Sequence, residues 1–168
     1  MPINMHAAAT QTFLTALNGL SQVLKKAEAN ATERKIDPSV FLNARLAPDM
    51  FHLTRQVQVA TDTVKGAVHR LAGLEIPKFE DNETTFAELQ ARIEKTIALV
   101  KSIPADLING HEDREVVMRR PSGDMTFKAQ DYLLGFALPN FLFHAVTAYD
   151  ILRHNGVPLG KDVYFGRA

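Results

Sequence analysis

The side chains best suited to chemistry fall in one stretch, Asp131 to Gly156 (DYLLGFALPNFLFHAVTAYDILRHNG). Asn140 and His144 are one helical turn apart there, so a helix carries both on one face. An imidazole can ligate a divalent metal or move a proton, and an amide oxygen adds only a weak ligand. The same His144, between Phe143 and Ala145, equally fits a core histidine satisfied by its neighbours. No His-x-x-x-His and no His-Glu-x-x-His occurs in the chain. His52 is the second candidate nitrogen ligand, and Asp49 and Asp150 are candidates to orient an imidazole from behind.

Tyr149 and Arg153 complete the candidate ligand-binding set. Arg153-His154-Asn155-Gly156 reads first as a helix end, with cations facing the helix dipole and Asn-Gly ready for a left-handed residue. Its alternative is an anion grip, with Arg153 in bidentate contact. Tyr149 points away from His144 on an ideal helix and reaches a pocket only through a distortion at Pro139 or a subunit contact. Asp62, Lys65 and His69 make one helical stripe, which reads as a solvated face. If buried, Asp62 must pair with Lys65 or Arg55. Ser122 has no neighbouring base, and neither a Gly-rich phosphate loop nor a calcium loop is present.

The elements that position these residues follow from apolar spacing. Phe13, Leu14, Leu17, Leu20, Val23 and Leu24 predict a first helix over about 7–29, and Asp37-Pro38 a capped short helix over 38–44. Residues 49–71 form the second long helix, which starts after Pro48 and ends at Gly73. Thr85 with Glu88 makes a capping box ahead of Phe86, Leu89, Ile93, Ile97 and Val100, and Pro104 closes that third helix. Ile76-Pro77-Lys78-Phe79 and the acidic residues that follow read as a linker. Residues 115–119 and 125–128 flank Pro-Ser-Gly-Asp and predict a β-hairpin. The last long helix starts near Gln130 or Asp131, and Pro139 predicts a kink near Phe136. Tyr164 and Phe165 suggest a tail docked on the body. The expected fold is all-α: a four-helix bundle with a small β-hairpin insert before the last long helix, as a single domain over 1–168.

Lys plus Arg and Asp plus Glu both number 19. The formal charge is zero and no basic stripe is visible, which argues against nucleic acid as a partner. There is no cysteine, which removes disulfides and thiolate chemistry. No signal peptide and no apolar run long enough to span a membrane is apparent, so a cytoplasmic protein is expected. Near-zero charge also favours self-association.

The stretches LAPDMFHLTRQVQVATD (Leu46 to Asp62), FAELQARIEKT (Phe86 to Thr96) and FALPNFLFHAVTAYDILRHNGVPLGK (Phe136 to Lys161) carry a resemblance covering nearly the whole chain. The chain resembles the DinB/YfiT-like bundle superfamily of metal-dependent enzymes and thiol transferases, in a domain-of-unknown-function branch with no established reaction. That pattern places one metal histidine on the second helix and a His-x-x-x-His pair on the last, followed by Leu-Arg and then Gly. Here Leu152-Arg153 and Gly156 follow His144, so His144 matches the second histidine of the pair, and Asn140 stands at the first. The resemblance implies His52 and His144 as metal ligands for Ni, Zn or Fe, and a homodimer. The substitution at Asn140 implies a degenerate site instead. The expected function is therefore binding of a small molecule, or interaction, without catalysis; the alternative is a metal-dependent transferase or hydrolase with His52 and His144 as ligands.

Overall fold

Long amphipathic runs bury best against one another, and the arrangement found is a helical ring. The computed structural model describes residues 3–167. In chain order it contains α1 (Met5–Glu33), α2 (Pro38–Leu42), α3 (Leu53–Ala72), α4 (Phe86–Ser102), β1 (Glu115–Met118), β2 (Met125–Lys128), α5 (Ala129–Tyr132), α6 (Leu138–His154) and α7 (Lys161–Tyr164). A short tight turn, Ala105–Leu107, follows α4, and a π-helical stretch, Leu133–Ala137, joins α5 to α6.

The four long helices are α1, α3, α4 and α6. Each packs on two neighbours: α1 on α4 and α6, and α3 on α4 and α6, with α3 and α6 in the most extensive contact. Helices α1 and α3 are therefore diagonal, and the connection through α2 crosses the end of the bundle. Pairings of Gln56 with His144 and Thr63 with Asn140 run in opposite chain directions, so α3 and α6 are antiparallel. The core draws Phe13, Leu17, Leu20 and Leu24 from α1, Val57, Val64 and Leu71 from α3, Leu89 and Ile93 from α4, and Phe141 and Ile151 from α6. Phe13 meets Phe141 edge-to-face across the centre, with ring centroids 5.4 Å apart.

The expected hairpin is present, with Glu115 opposite Lys128 and Met118 opposite Met125. It is held to the bundle by buried Val116 and by Phe127, whose ring lies 5.9 Å from those of Tyr132 and Phe136. The capping box of Thr85 and Glu88 is complete, and Gly73 ends α3 with a φ of 70°.

The first helix runs over Met5–Glu33, beyond 7–29 at both ends, and two later helices start elsewhere than expected. The second long helix begins at Leu53, not at 49, because residues 47–50 close a separate turn and the His52 imidazole caps the helix. The last helical run begins at Ala129. The disturbance expected near Phe136 is a widened turn, in which the Leu138 N–H donates to the Leu133 carbonyl five residues back. Pro139 explains it, since the ring of an interior proline collides with the carbonyl one turn earlier and a π turn relieves the collision.

The tail docks as expected: Val157, Leu159 and Val163 are buried, and the Tyr149 hydroxyl donates to the Leu159 carbonyl at 3.1 Å. It crosses α1 at Gly19, where an added Cβ would fall 1.7 Å from the Tyr164 carbonyl oxygen. Backbone, unlike a flexible side-chain tip, cannot step aside. Gly19→Ala should therefore destabilise the protein by about 1–3 kcal/mol in urea denaturation, although alanine is the better helix former. An unchanged or raised midpoint would contradict this packing.

Candidate functional site

The α3–α6 seam carries buried polar side chains where the apolar pattern would favour aliphatic ones. His144 is 8% exposed and its Nδ1 lies 2.7 Å from Oε1 of Gln56, itself 1% exposed. The Gln56 amide nitrogen donates to the Phe51 carbonyl at 3.0 Å, which fixes the direction of the amide. Its oxygen must then accept, so Nδ1 of His144 carries the proton and Nε2 is the lone-pair nitrogen. Among the described residues no buried side-chain nitrogen or oxygen lacks a partner. Nε2, which has no hydrogen bond to protein, accordingly opens onto a cavity of about 200 Å³ lined by Asp49, Met50, Phe51 and Phe143. Burial, with a smaller push from the Arg55 guanidinium, lowers the His144 pKa below its ordinary 6.5. The imidazole is therefore neutral at pH 7 and able to accept a hydrogen bond.

One turn earlier, Asn140 donates to the Thr63 hydroxyl at 2.9 Å. That hydroxyl donates in turn to the Val59 carbonyl at 2.8 Å, so the Asn140 side chain presents its NH₂ to Thr63 and keeps Oδ1 as an acceptor. Asn140 lines a second cleft, of about 300 Å³, shared with Arg55, Arg70, Tyr132 and Phe136. Tyr132 and Phe136 stack with centroids 5.9 Å apart and planes 19° from parallel. Phe136 comes from the π-helical stretch, so Pro139 indirectly shapes this wall.

A family model described as "Domain of unknown function (DUF1993)" matches residues 5–165. The chain belongs to the DUF1993 family. A crystal structure of a DinB family member protein from Shewanella denitrificans shares 38% identity and superposes with a TM-score of 0.88, covering 96% of this chain and 92% of that one. The DinB-like branch expected from the sequence is thus the right one. No curated protein matches.

Within this DUF1993 fold the predicted site residues separate into two groups. Asn140 and His144 share a face as expected, but they open on different cavities. His52 joins neither: it is the N-cap of α3, and its Nδ1 accepts from the Arg55 N–H at 3.4 Å. The residue that faces His144 is Gln56, one turn further along. Asp49 lines the cavity beside His144 while the Nδ1 partner is an amide, and neither Asp49 nor Asp150 takes the orienting place. Tyr149 holds the tail and packs edge-on against Tyr164, away from both cavities. Arg153 is exposed in the last turn of α6. Among the described residues no three His, Asp or Glu side chains converge as a metal-binding group.

The stripe expected to be solvated is instead largely buried. Lys65 and His69 are 7% and 6% exposed, and Asp62 pairs with Lys65 at 2.7 Å and with Arg92 at 2.9 Å. The reason is the segment before α4, which folds over the stripe and lays the Phe79 ring 4.2 Å from Lys65 Nζ and 4.1 Å from Lys95 Nζ. Sequence reasoning missed Gln56, Arg92, Arg70 and Tyr132. Gln56 and Arg92 left a signal: each sits inside an apolar stripe, Gln56 between Leu53 and Ala60 and Arg92 between Leu89 and Ile93.

The Gln56–His144 pair sets a pH dependence. Because the folded pKa of His144 lies below 6.5, the unfolded chain binds its proton more tightly. Stability contributed by the neutral imidazole is then full above about pH 6.5 and falls as pH drops from there toward the lowered value. His144→Gln should flatten that part of the stability–pH curve. Gln56→Leu should cost about 1–3 kcal/mol by orphaning Nδ1–H. Gln56→Glu should reverse the slope, because a carboxylate on Nδ1 raises the pKa. Chemical denaturation across that range checks all three, and a slope unaffected by either site would contradict the assignment.

Proposed function

We propose that this protein binds a small molecule in the α3–α6 seam and does so without a resident metal. What supports this reading is the donor set around His144. The family resemblance calls for imidazoles converging from α3 and the last helix; here Gln56 faces His144, and Asn140 stands one turn before it. A catalytic zinc site uses three protein ligands and leaves a fourth position for water or substrate. One open imidazole nitrogen, with amides around it and the single carboxylate of Asp49 in the cavity wall, falls short of that requirement. The amides do suit ligand recognition, since each has its direction fixed by a backbone-anchored partner. Two cavities adjoin them: the cleft over Asn140, about 300 Å³, lies at the lower end of the size range of small-molecule sites, and the cavity beside His144, about 200 Å³, is smaller than that range.

The test is metal content of protein purified without an affinity tag or chelator. The wild type should carry Ni, Zn and Fe only far below stoichiometry, whereas a Gln56→His, Asn140→His double variant should gain a bound divalent ion. Near-stoichiometric metal in the wild type, lost in His144→Ala, would overturn the reading in favour of a metal-dependent transferase or hydrolase.

A further inference from the structure

The cleft over Asn140 has a feature that the fold alone does not require. Gly66 is buried in the middle of α3, where glycine costs about 1 kcal/mol relative to alanine. A Cβ at that position would lie 2.5 Å from Nη1 of Arg70. The glycine therefore makes room for the Arg70 guanidinium to lie back along the helix, one turn from Thr63 and its partner Asn140.

Arg70 is half-buried, and among the described residues its one side-chain hydrogen bond donates to the Tyr132 hydroxyl at 3.2 Å. Among the described residues no carboxylate lies within ion-pair distance of it. The neighbouring acids are already engaged: Asp62 with Lys65 and Arg92, and Asp81 with Arg55 and Arg92. Arg55 and Asp62 also line the cleft, each held in its own ion pairs, so the cleft offers one positioned guanidinium without a carboxylate partner, an acceptor at Oδ1 of Asn140, and an aromatic wall from Tyr132 and Phe136. Its volume of about 300 Å³ has room for roughly ten water-sized atoms at ~30 Å³ each.

We infer that the cleft binds a small organic carboxylate that also carries a hydrogen-bond donor. Arg70 takes the carboxylate through charge-assisted hydrogen bonds, Asn140 Oδ1 receives the donor, and the rings cover the apolar body between them. This rests on the small-molecule reading above and narrows it to one ligand class and one of the two cavities. Gly66 is then a positioning residue, acting through Arg70.

The experiment is titration with para-hydroxybenzoate and with its uncharged methyl ester, followed by amide chemical shifts. The acid should bind saturably, with shifts centred on α3 and the π-helical stretch, and the ester at least ~10-fold more weakly. Arg70→Gln should weaken the acid at least ~10-fold, and Gly66→Ala should do the same without lowering Tm, since the displaced atoms are a flexible tip. Acid and ester binding alike, or binding indifferent to Arg70→Gln, would overturn the carboxylate assignment and leave the small-molecule reading standing. No saturable binding of either probe would overturn the carboxylate inference and count against the pocket itself.

Discussion

A guanidinium taken out of water must find its hydrogen bonds and its countercharge inside the protein, and the arrangement around Arg92 answers that demand. Arg92 is 4% exposed. It reaches the Thr61 hydroxyl at 2.7 Å, the Glu80 carbonyl at 2.9 Å, and carboxylates of Asp62, Asp81 and Glu83 at 2.8 to 2.9 Å. Because its partners come from α3 and from the segment before α4, this one side chain ties both to α4. The segment cannot leave without stranding a buried charge, a loss of several kcal/mol. The arrangement also sorts the charges of the neighbourhood. Asp62, which shares the cleft wall with Arg70, is paired with Lys65 and Arg92, and Arg70 keeps its charge without a carboxylate partner among the described residues.

The same requirement for satisfied polar groups shapes the α3–α6 seam. Gln56 and Thr63 each hand one hydrogen bond to the backbone and thereby leave only one role for the partner across the seam. His144 must donate through Nδ1, and Asn140 must donate its NH₂. What remains free in each case is an acceptor facing a cavity. Ligand-facing atoms are thus fixed by groups behind them, a form of preorganisation that lets binding avoid ordering side chains afterwards.

The long helices, the capping box, the hairpin and the docked tail were legible because each depends on local chemistry: apolar spacing, a Thr85–Glu88 exchange, a Pro-Ser-Gly-Asp turn, aromatic residues near the end. Asn140 and His144 were legible as a pair because helical spacing alone puts them together. Their partners were not, because they depend on the register of α3 against α6. A helix start displaced from 49 to 53 turns His52 into a cap and leaves Gln56 facing His144. The stripe at Asp62, Lys65 and His69 was misread for a related reason. Whether it meets water is decided by the later segment that carries Phe79, folded back by Arg92. Helical geometry already turned Tyr149 away from His144, and the π turn before Pro139 does not bring it back: it holds the tail, while Arg153 lies exposed in the last turn of α6.

Gln56 holds His144 neutral, with its proton on Nδ1 and its lone pair on the cavity. Long-range proton–nitrogen correlation of the imidazole ring reports this directly. The predicted spectrum at neutral pH shows a pyrrole-type Nδ1 and a pyridine-type Nε2 for His144, with Nδ1 altered in Gln56→Leu. A proton on Nε2, a charged ring, or the shift of a metal-bound nitrogen would rule out this role for Gln56.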